Sequence, residues 1–288
     1  MRIDTILYAT DFSDIADHAL GVAVDLATRH GAVLHLFHGL LLDADSPTEP
    51  PLAASAAAAT AQAARLVEQD PTRRLPEVRM SHLHAVSAFD AIMERVIQLQ
   101  PDLIVMGTHG RSGLQRLLMG STAEKVVRRA PGNVMTVKSA LHPPDPGGPY
   151  RVLVPVDFSD GSAQALAAAR WLARGTDSRL HLVHVVEPVP RRSNAGNLER
   201  WFDLDGDVDQ RIERRLREWS GDIDGARWSV AKGNAPAEIA RVARSTETNL
   251  VVMGTRGLTC LVHVVVGSVT QRVCRSCETP VLVVRDVA

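Results

Sequence analysis

Short apolar runs alternate with longer amphipathic segments along this chain of 288 residues. In the first half, apolar runs at 5–9, 33–37, 78–83, 103–106 and 134–138 read as strands. Between them lie helical signals. Ser13 and Asp14 can cap a helix that runs to about residue 30, where Gly31 stops it. An alanine-rich helix is predicted over 53–68, after a polar, proline-bearing loop at 43–51. A third helix covers 88–99 and ends at Pro101. The second half repeats the order, with strands at 152–156, 180–186, 228–231, 250–253 and 281–284 and helices at 162–173 and 236–243. A further helix carries Val208, Ile212, Leu216 and Trp219 on one face, with an arginine-rich remainder that reads as a solvated face. Strand and helix in strict alternation imply a parallel sheet with crossover helices.

The two halves are copies. Asp11-Phe12-Ser13-Asp14 returns 146 residues later as Asp157-Phe158-Ser159-Asp160, and Leu34-His35-Leu36-Phe37-His38 returns as Leu180-His181-Leu182-Val183-His184. Gly107-Thr108-His109-Gly110, nine residues and Gly120-Ser121 return 147 residues later as Gly254-Thr255-Arg256-Gly257, nine residues and Gly267-Ser268. A repeat of this length is a whole domain. The segment 139–149, SALHPPDPGGP, is the expected joint, which gives domains at 1–140 and 150–288.

A net charge of -1 excludes a broad attraction to nucleic acid or anionic lipid. No apolar run is long enough to span a membrane, and the first residues lack a signal-peptide layout, so a cytoplasmic protein is expected. Three cysteines, all in the second half, do not form a disulfide framework.

Each glycine pattern follows a predicted strand. Each also precedes a capping-box sequence, Ser121-Thr122-Ala123-Glu124 or Ser268-Val269-Thr270-Gln271, which marks a helix N-terminus. Such an end offers unpaired N–H groups and the positive end of a helix dipole, and glycines let a phosphate come close. Ser121, Thr122 and Ser268 can add hydroxyl donors. No Gly-Lys-Ser/Thr follows these glycines, and no lysine is placed to reach terminal phosphates, so strong phosphoryl transfer is not indicated.

Gly-x-x-Gly, nine residues and Gly-Ser, with Asp-Phe-Ser after the first strand, resembles the universal stress protein family over nearly the whole chain. The resemblance implies two tandem doubly wound α/β domains, each with a five-stranded parallel sheet, pairing through their last strands as a pseudo-dimer. Both halves resemble the ATP-binding branch of the family. By position, Thr10, Asp11 and Gly39 would meet the nucleoside in the first half, with Met106, Gly107, Gly110, Arg111, Gly120, Ser121 and Thr122 around ribose and phosphates. In the second half these roles fall to Val156, Asp157, Val185, Met253, Gly254, Gly257, Gly267, Ser268 and Val269. The aspartates also admit a helix-capping role. Gly39 offers adenine only backbone groups. The second loop, 258–266, is apolar where the first carries Arg111, Ser112, Gln115 and Arg116.

Other constellations are weaker. Cys260-x-x-His263 and Cys274-x-x-Cys277 mimic zinc spacing, but the helix opening at Ser268 separates the pairs by about ten residues at ~1.5 Å of rise each. The acidic run 203–209 lacks the glycine and glutamate positions of a calcium loop. His35, His38, His181 and His184 are expected to make core or strand-end hydrogen bonds, and no nucleophile, base and orienter are linked by sequence. The reading is a nucleotide-dependent regulatory protein that binds ATP, with or without magnesium, and an unidentified protein partner; a further homodimer is compatible. A slow ATPase and a nucleotide-free scaffold are the alternatives.

Overall fold

A computed structural model of the chain describes residues 2–41, 51–70, 72–109, 119–138, 149–174, 177–187, 189–192, 198–201, 207–221, 223–255 and 266–285. The first half runs β1 (Thr5–Ala9), α1 (Asp14–His30), β2 (Val33–Leu41), α2 (Leu52–Gln69), β3 (Val78–Ala85), α3 (Ala88–Leu99), β4 (Leu103–Gly107), α4 (Ser121–Arg129) and β5 (Asn133–Val137). The second half runs β6 (Tyr150–Pro155), α5 (Asp160–Ala173), β7 (Ser178–Val186), β8 (Val189–Arg192), β9 (Leu198–Trp201), α6 (Val208–Ser220), β10 (Arg227–Lys232), α7 (Ala235–Ser245), β11 (Leu250–Gly254), α8 (Ser268–Ser276) and β12 (Val281–Val284).

The strands β10-β7-β6-β11-β12-β5-β4-β1-β2-β3 form one ten-stranded sheet. Within each half of this sheet every pairing is parallel; the halves meet where β12 pairs antiparallel with β5, Leu282 opposite Met135. Helices cover both faces, which is why the central strands are apolar on both sides: Leu103 to Val105 and Leu250 to Val252 are fully buried. Each half thus has the five-stranded doubly wound order, and the joined last strands make the intramolecular pseudo-dimer. The antiparallel pair of β8 and β9 lies outside this plan and has no counterpart among the elements expected from sequence.

Several element extents differ from expectation, β2 and α5 among them. β2 continues through Leu41, because its outer residues keep pairing with β3, Gly39 opposite Leu83 and Leu41 opposite Ala85. Gly39 therefore sits in a strand. α5 begins at Asp160, two residues early, because Ser159 caps it by accepting the Ser162 N–H.

The junction between halves is polar as well as paired. Glu124 of α4 accepts hydrogen bonds from Gln271 (2.8 Å) and Arg275 (2.7 Å) of α8. Arg285 donates its backbone N–H to the Asn133 side chain (3.1 Å) and its guanidinium to the Val127 carbonyl. On the opposite face His30 stacks on Trp171 with ring centroids 4.6 Å apart. Cys274, in α8, and Cys277, at its C-cap, are buried free thiols.

Candidate nucleotide site

The first site is built where the chain changes direction. From β1 it proceeds outward through β2 to β3, and from β4 it returns to the other side, so the C-terminal ends of β1 and β4 diverge there. In such sheets the crevice at this switch point is the ligand position. A cavity of about 380 Å³ occupies it, lined by Thr10, Asp11, Gly39, Met106, Gly107, Gly120, Ser121 and Thr122. That volume lies within the range of small-molecule sites.

The turn after β1 is made by a residue in an unfavourable conformation. Phe12 has φ 61°, and its copy Phe158 has φ 64°. Left-handed backbone in a bulky residue costs on the order of 1 kcal/mol or more, so the surroundings must hold it. Phe12 packs on His38 (4.7 Å between centroids) and Phe158 on His184 (5.1 Å). The same histidines use Nδ1 to bond the Thr10 and Val156 carbonyls, each at 2.7 Å. His181 Nε2 lies 2.8 Å from the Ser229 hydroxyl, and burial lowers the pKa of His35 and His181. His38, His181 and His184 thus make hydrogen bonds in the strand or at its end, as expected, and His35 is buried in β2.

The aspartates do not cap the first helices themselves. Ser13 caps α1, and Asp11 Oδ1 holds that cap by accepting from the Ser13 hydroxyl (2.7 Å) and N–H (3.2 Å). Asp157 does the same for Ser159, at 2.5 and 3.1 Å.

The floor is glycine where backbone comes close. A Cβ on Gly39 would lie 2.8 Å from the Ala91 Cβ of α3, so this glycine admits the helix. A Cβ on Gly107 would lie 3.1 Å from Ile15. At Gly254 it would overlap the Gly161 carbonyl of α5.

At the far end of the glycine pattern the capping-box expectation fails. The N-caps of α4 and α8 are Gly120 and Gly267, and neither makes a side-chain cap. Glu124 reaches across to α8 instead of back to its own helix, and Gln271 reaches to Glu124. The glycine N–H groups are also committed: Gly120 donates to Thr108 O (2.7 Å) and Gly267 to Thr255 O (2.6 Å). That bond closes the loop and leaves the first-turn N–H groups of residues 121–123, and of 268–270, as the helix end that a phosphate could meet. In the second half Met253 and Gly254 end β11, Ser268 and Val269 open α8, and Val269 packs on the core.

Several cavity residues are not among the nucleotide-site residues expected from sequence: His38, Ala88, Ile92, Thr108 and Ala123. Ala88 and Ile92 share one face of α3, but only the docking of α3 on Gly39 turns that face to the cavity. Gly110, Arg111, Ser112, Gln115, Arg116, Arg256, Gly257 and the apolar segment 258–265, with Cys260 and His263, lie outside the described residues, as do 43–50, 139–148 and 203–206. Among the described residues no group of three or more His, Cys, Asp or Glu could hold a metal, and no helix is long and apolar enough to cross a membrane.

Comparison with known proteins gives one consistent result. The model of the universal stress protein family matches residues 2–138 and again 150–285. A universal stress protein of Methanocaldococcus jannaschii is 29% identical over 141 residues, covering 47% of this chain and 81% of that protein. One of Mycobacterium tuberculosis strain H37Rv is 30% identical over 199 residues, covering 66% of this chain and 60% of that protein. The crystal structure of a universal stress protein from Archaeoglobus fulgidus superposes with TM-score 0.64 over 99% of both chains, at 18% identity, a likeness of fold.

Proposed function

Because the chain belongs to the universal stress protein family, we propose that it binds adenine nucleotide, ATP foremost, and acts in the cytoplasm as a nucleotide-dependent regulatory module. Its domains span 1–140 and 150–288. The observation that carries the reading is the cavity at the β1/β4 switch point, with Asp11 on one wall and the open end of α4 on the other. Backbone N–H groups of residues 121–123 and the helix dipole receive phosphate. The hydroxyls of Ser121 and Thr122 supplement them. Thr10, Asp11 and Gly39 lie at the nucleoside end, and Met106 and Gly107 form the floor. The glycine spacing shared with the ATP-binding branch supports adenosine triphosphate as the ligand. Any magnesium would arrive on its phosphates. Gly110 and Arg111 complete the phosphate end by their place in the sequence.

The second half repeats the set with Val156, Asp157, Val185, Met253, Gly254, Gly257, Gly267, Ser268 and Val269. Nucleotide occupancy would then govern the affinity for a protein partner through differential binding to the occupied form. Native mass spectrometry of freshly purified protein, with calorimetric titration by ATP, tests the reading. Bound adenine nucleotide and saturable ATP binding are expected. No adenine absorbance and no ATP-induced thermal shift would leave a scaffold. Sustained ADP production well above background would make it a hydrolase.

A further inference from the structure

The ten-stranded sheet ends on β3 at one side and on β10 at the other. The two edges differ in chemistry. β10 begins at Arg227 and ends at Lys232, and charges of this kind discourage a further strand from pairing there. β3 carries another pattern. Strand residues alternate between faces, so Met80, His82 and His84 share one face, and Val86 follows at the next even position just beyond the strand. Leu83 and Ala85 take the other face, where they pack on the core. His82 and His84 are exposed, Met80 is 51% exposed and Val86 78%. This edge therefore presents two imidazoles between two exposed apolar side chains.

The His82 and His84 rings stand edge to face with centroids 6.1 Å apart. Alternate residues are about 6.6 Å apart along a strand, so both exposed rings can turn to one metal ion between them. Imidazole nitrogen suits zinc, copper and nickel, and zinc closes its shell with four ligands. One chain supplies two of the four. Among the described residues no group of three or more His, Cys, Asp or Glu could hold a metal. The site is thus incomplete in a single copy.

A second copy completes it. Antiparallel pairing of β3 with β3 of another copy, centred on Leu83, sets His82 of each chain opposite His84 of the other. The same register sets Met80 opposite Val86 twice and Arg79 opposite Ser87, so no like charges face each other. Directly opposed residues have Cβ atoms about 4.5–5.5 Å apart, which gathers four imidazoles around the two-fold axis. The chain already joins two edges antiparallel in this way, at β5 and β12.

We propose that His82 and His84 of two chains bind one zinc ion, which joins the chains through their β3 edges. The proposal goes beyond the nucleotide reading and stands without it. Two strands that pair over so few residues are marginal in water, so the metal decides whether this dimer forms.

The test is sedimentation velocity of the full chain, stripped with EDTA, across a titration with zinc chloride, while calorimetry counts bound zinc. Zinc should produce a species of twice the metal-free mass at one ion per two chains, and EDTA should reverse it. His82→Ala and His84→Ala each remove two of the four ligands. Each should weaken the zinc step by more than the roughly 10–100-fold that loss of a ligand's outer partner costs. Both positions are exposed, so urea melts of the variants should match wild type. Met80→Lys keeps the ligands but removes both apolar cross-strand pairs, and should weaken the zinc dimer about tenfold. An unchanged mass throughout the titration would overturn the proposal. So would a zinc dimer that either histidine variant retains at wild-type affinity, or one that Met80→Lys leaves unaltered.

Discussion

Replacing Gly39 by alanine tests the claim that this glycine exists for helix α3. The added Cβ would lie 2.8 Å from the Ala91 Cβ and 3.6 Å from the Ala88 Cα. Apolar carbons pack at about 3.5–4.0 Å, so α3 must retreat by about 1 Å or Ala91 must rotate with its helix. Overpacking of this size costs about 1–3 kcal/mol. The matching relief is Ala91→Gly. Alone, that change should cost about 1 kcal/mol for glycine inside a helix, plus a fraction more for the lost buried methyl. In the double variant the clash is gone, so its stability should equal that of Ala91→Gly. The cycle should show non-additivity of about 1–3 kcal/mol by urea denaturation. Ala88 and Ile92 of α3 line the cavity, so Gly39→Ala should also weaken ATP binding and the double variant should recover part of it. Additive stabilities within about 0.5 kcal/mol would refute the packing argument, since independent sites add to that accuracy.

Gly120→Val should abolish ATP binding in the first half while the far-ultraviolet spectrum stays native, because a Cβ there lies 3.2 Å from Thr108 O beside the phosphate end; unchanged calorimetric affinity removes the assignment. ATP should outcompete GTP, whose base edge reverses donor and acceptor at position six; equal competition would mean that only phosphates are read. Burial, with the Arg29 charge adding to it, lowers the His30 pKa from 6.5 to about 4. Between these values the unfolded chain binds the proton and the native state does not, so stability is full above pH 6.5 and falls as pH drops toward 4; His30→Phe should flatten that fall in pH-dependent urea melts. Cys274, whose pKa burial pushes up to about 12, should resist a thiol reagent in native protein and react in denaturant, with mass mapping to separate it from Cys260.

Much of this protein is readable from local signals. Strand and helix types follow from the period of apolar residues, the duplication from Asp-Phe-Ser and the paired glycine patterns, and the loop-to-helix junctions from Gly120-Ser121 and Gly267-Ser268. These signals work because backbone preference and amphipathic period act within one or two turns. They report that a face is buried, and they are silent on what buries it. Hence the family resemblance gives Gly39 an expected role at the nucleoside, and only the fold shows α3 pressed against it, 52 residues further along in Ala91. The Ser-x-x-Glu pattern at Ser121 is a capping box by local rules. Across the junction Gln271 and Arg275 offer Glu124 stronger partners than its own N-cap glycine does, so the side chain turns outward. The antiparallel meeting of β5 and β12 likewise depends on two edges finding each other. Asp11 and Asp157 are identical in local sequence, Asp-Phe-Ser-Asp, yet Asp157 accepts from the hydroxyl of Ser162, five residues on, where the first half has Ala16. Sequence names the groups; packing decides which partner each one meets, because hydrogen bonds and contacts are settled by proximity in space and not along the chain.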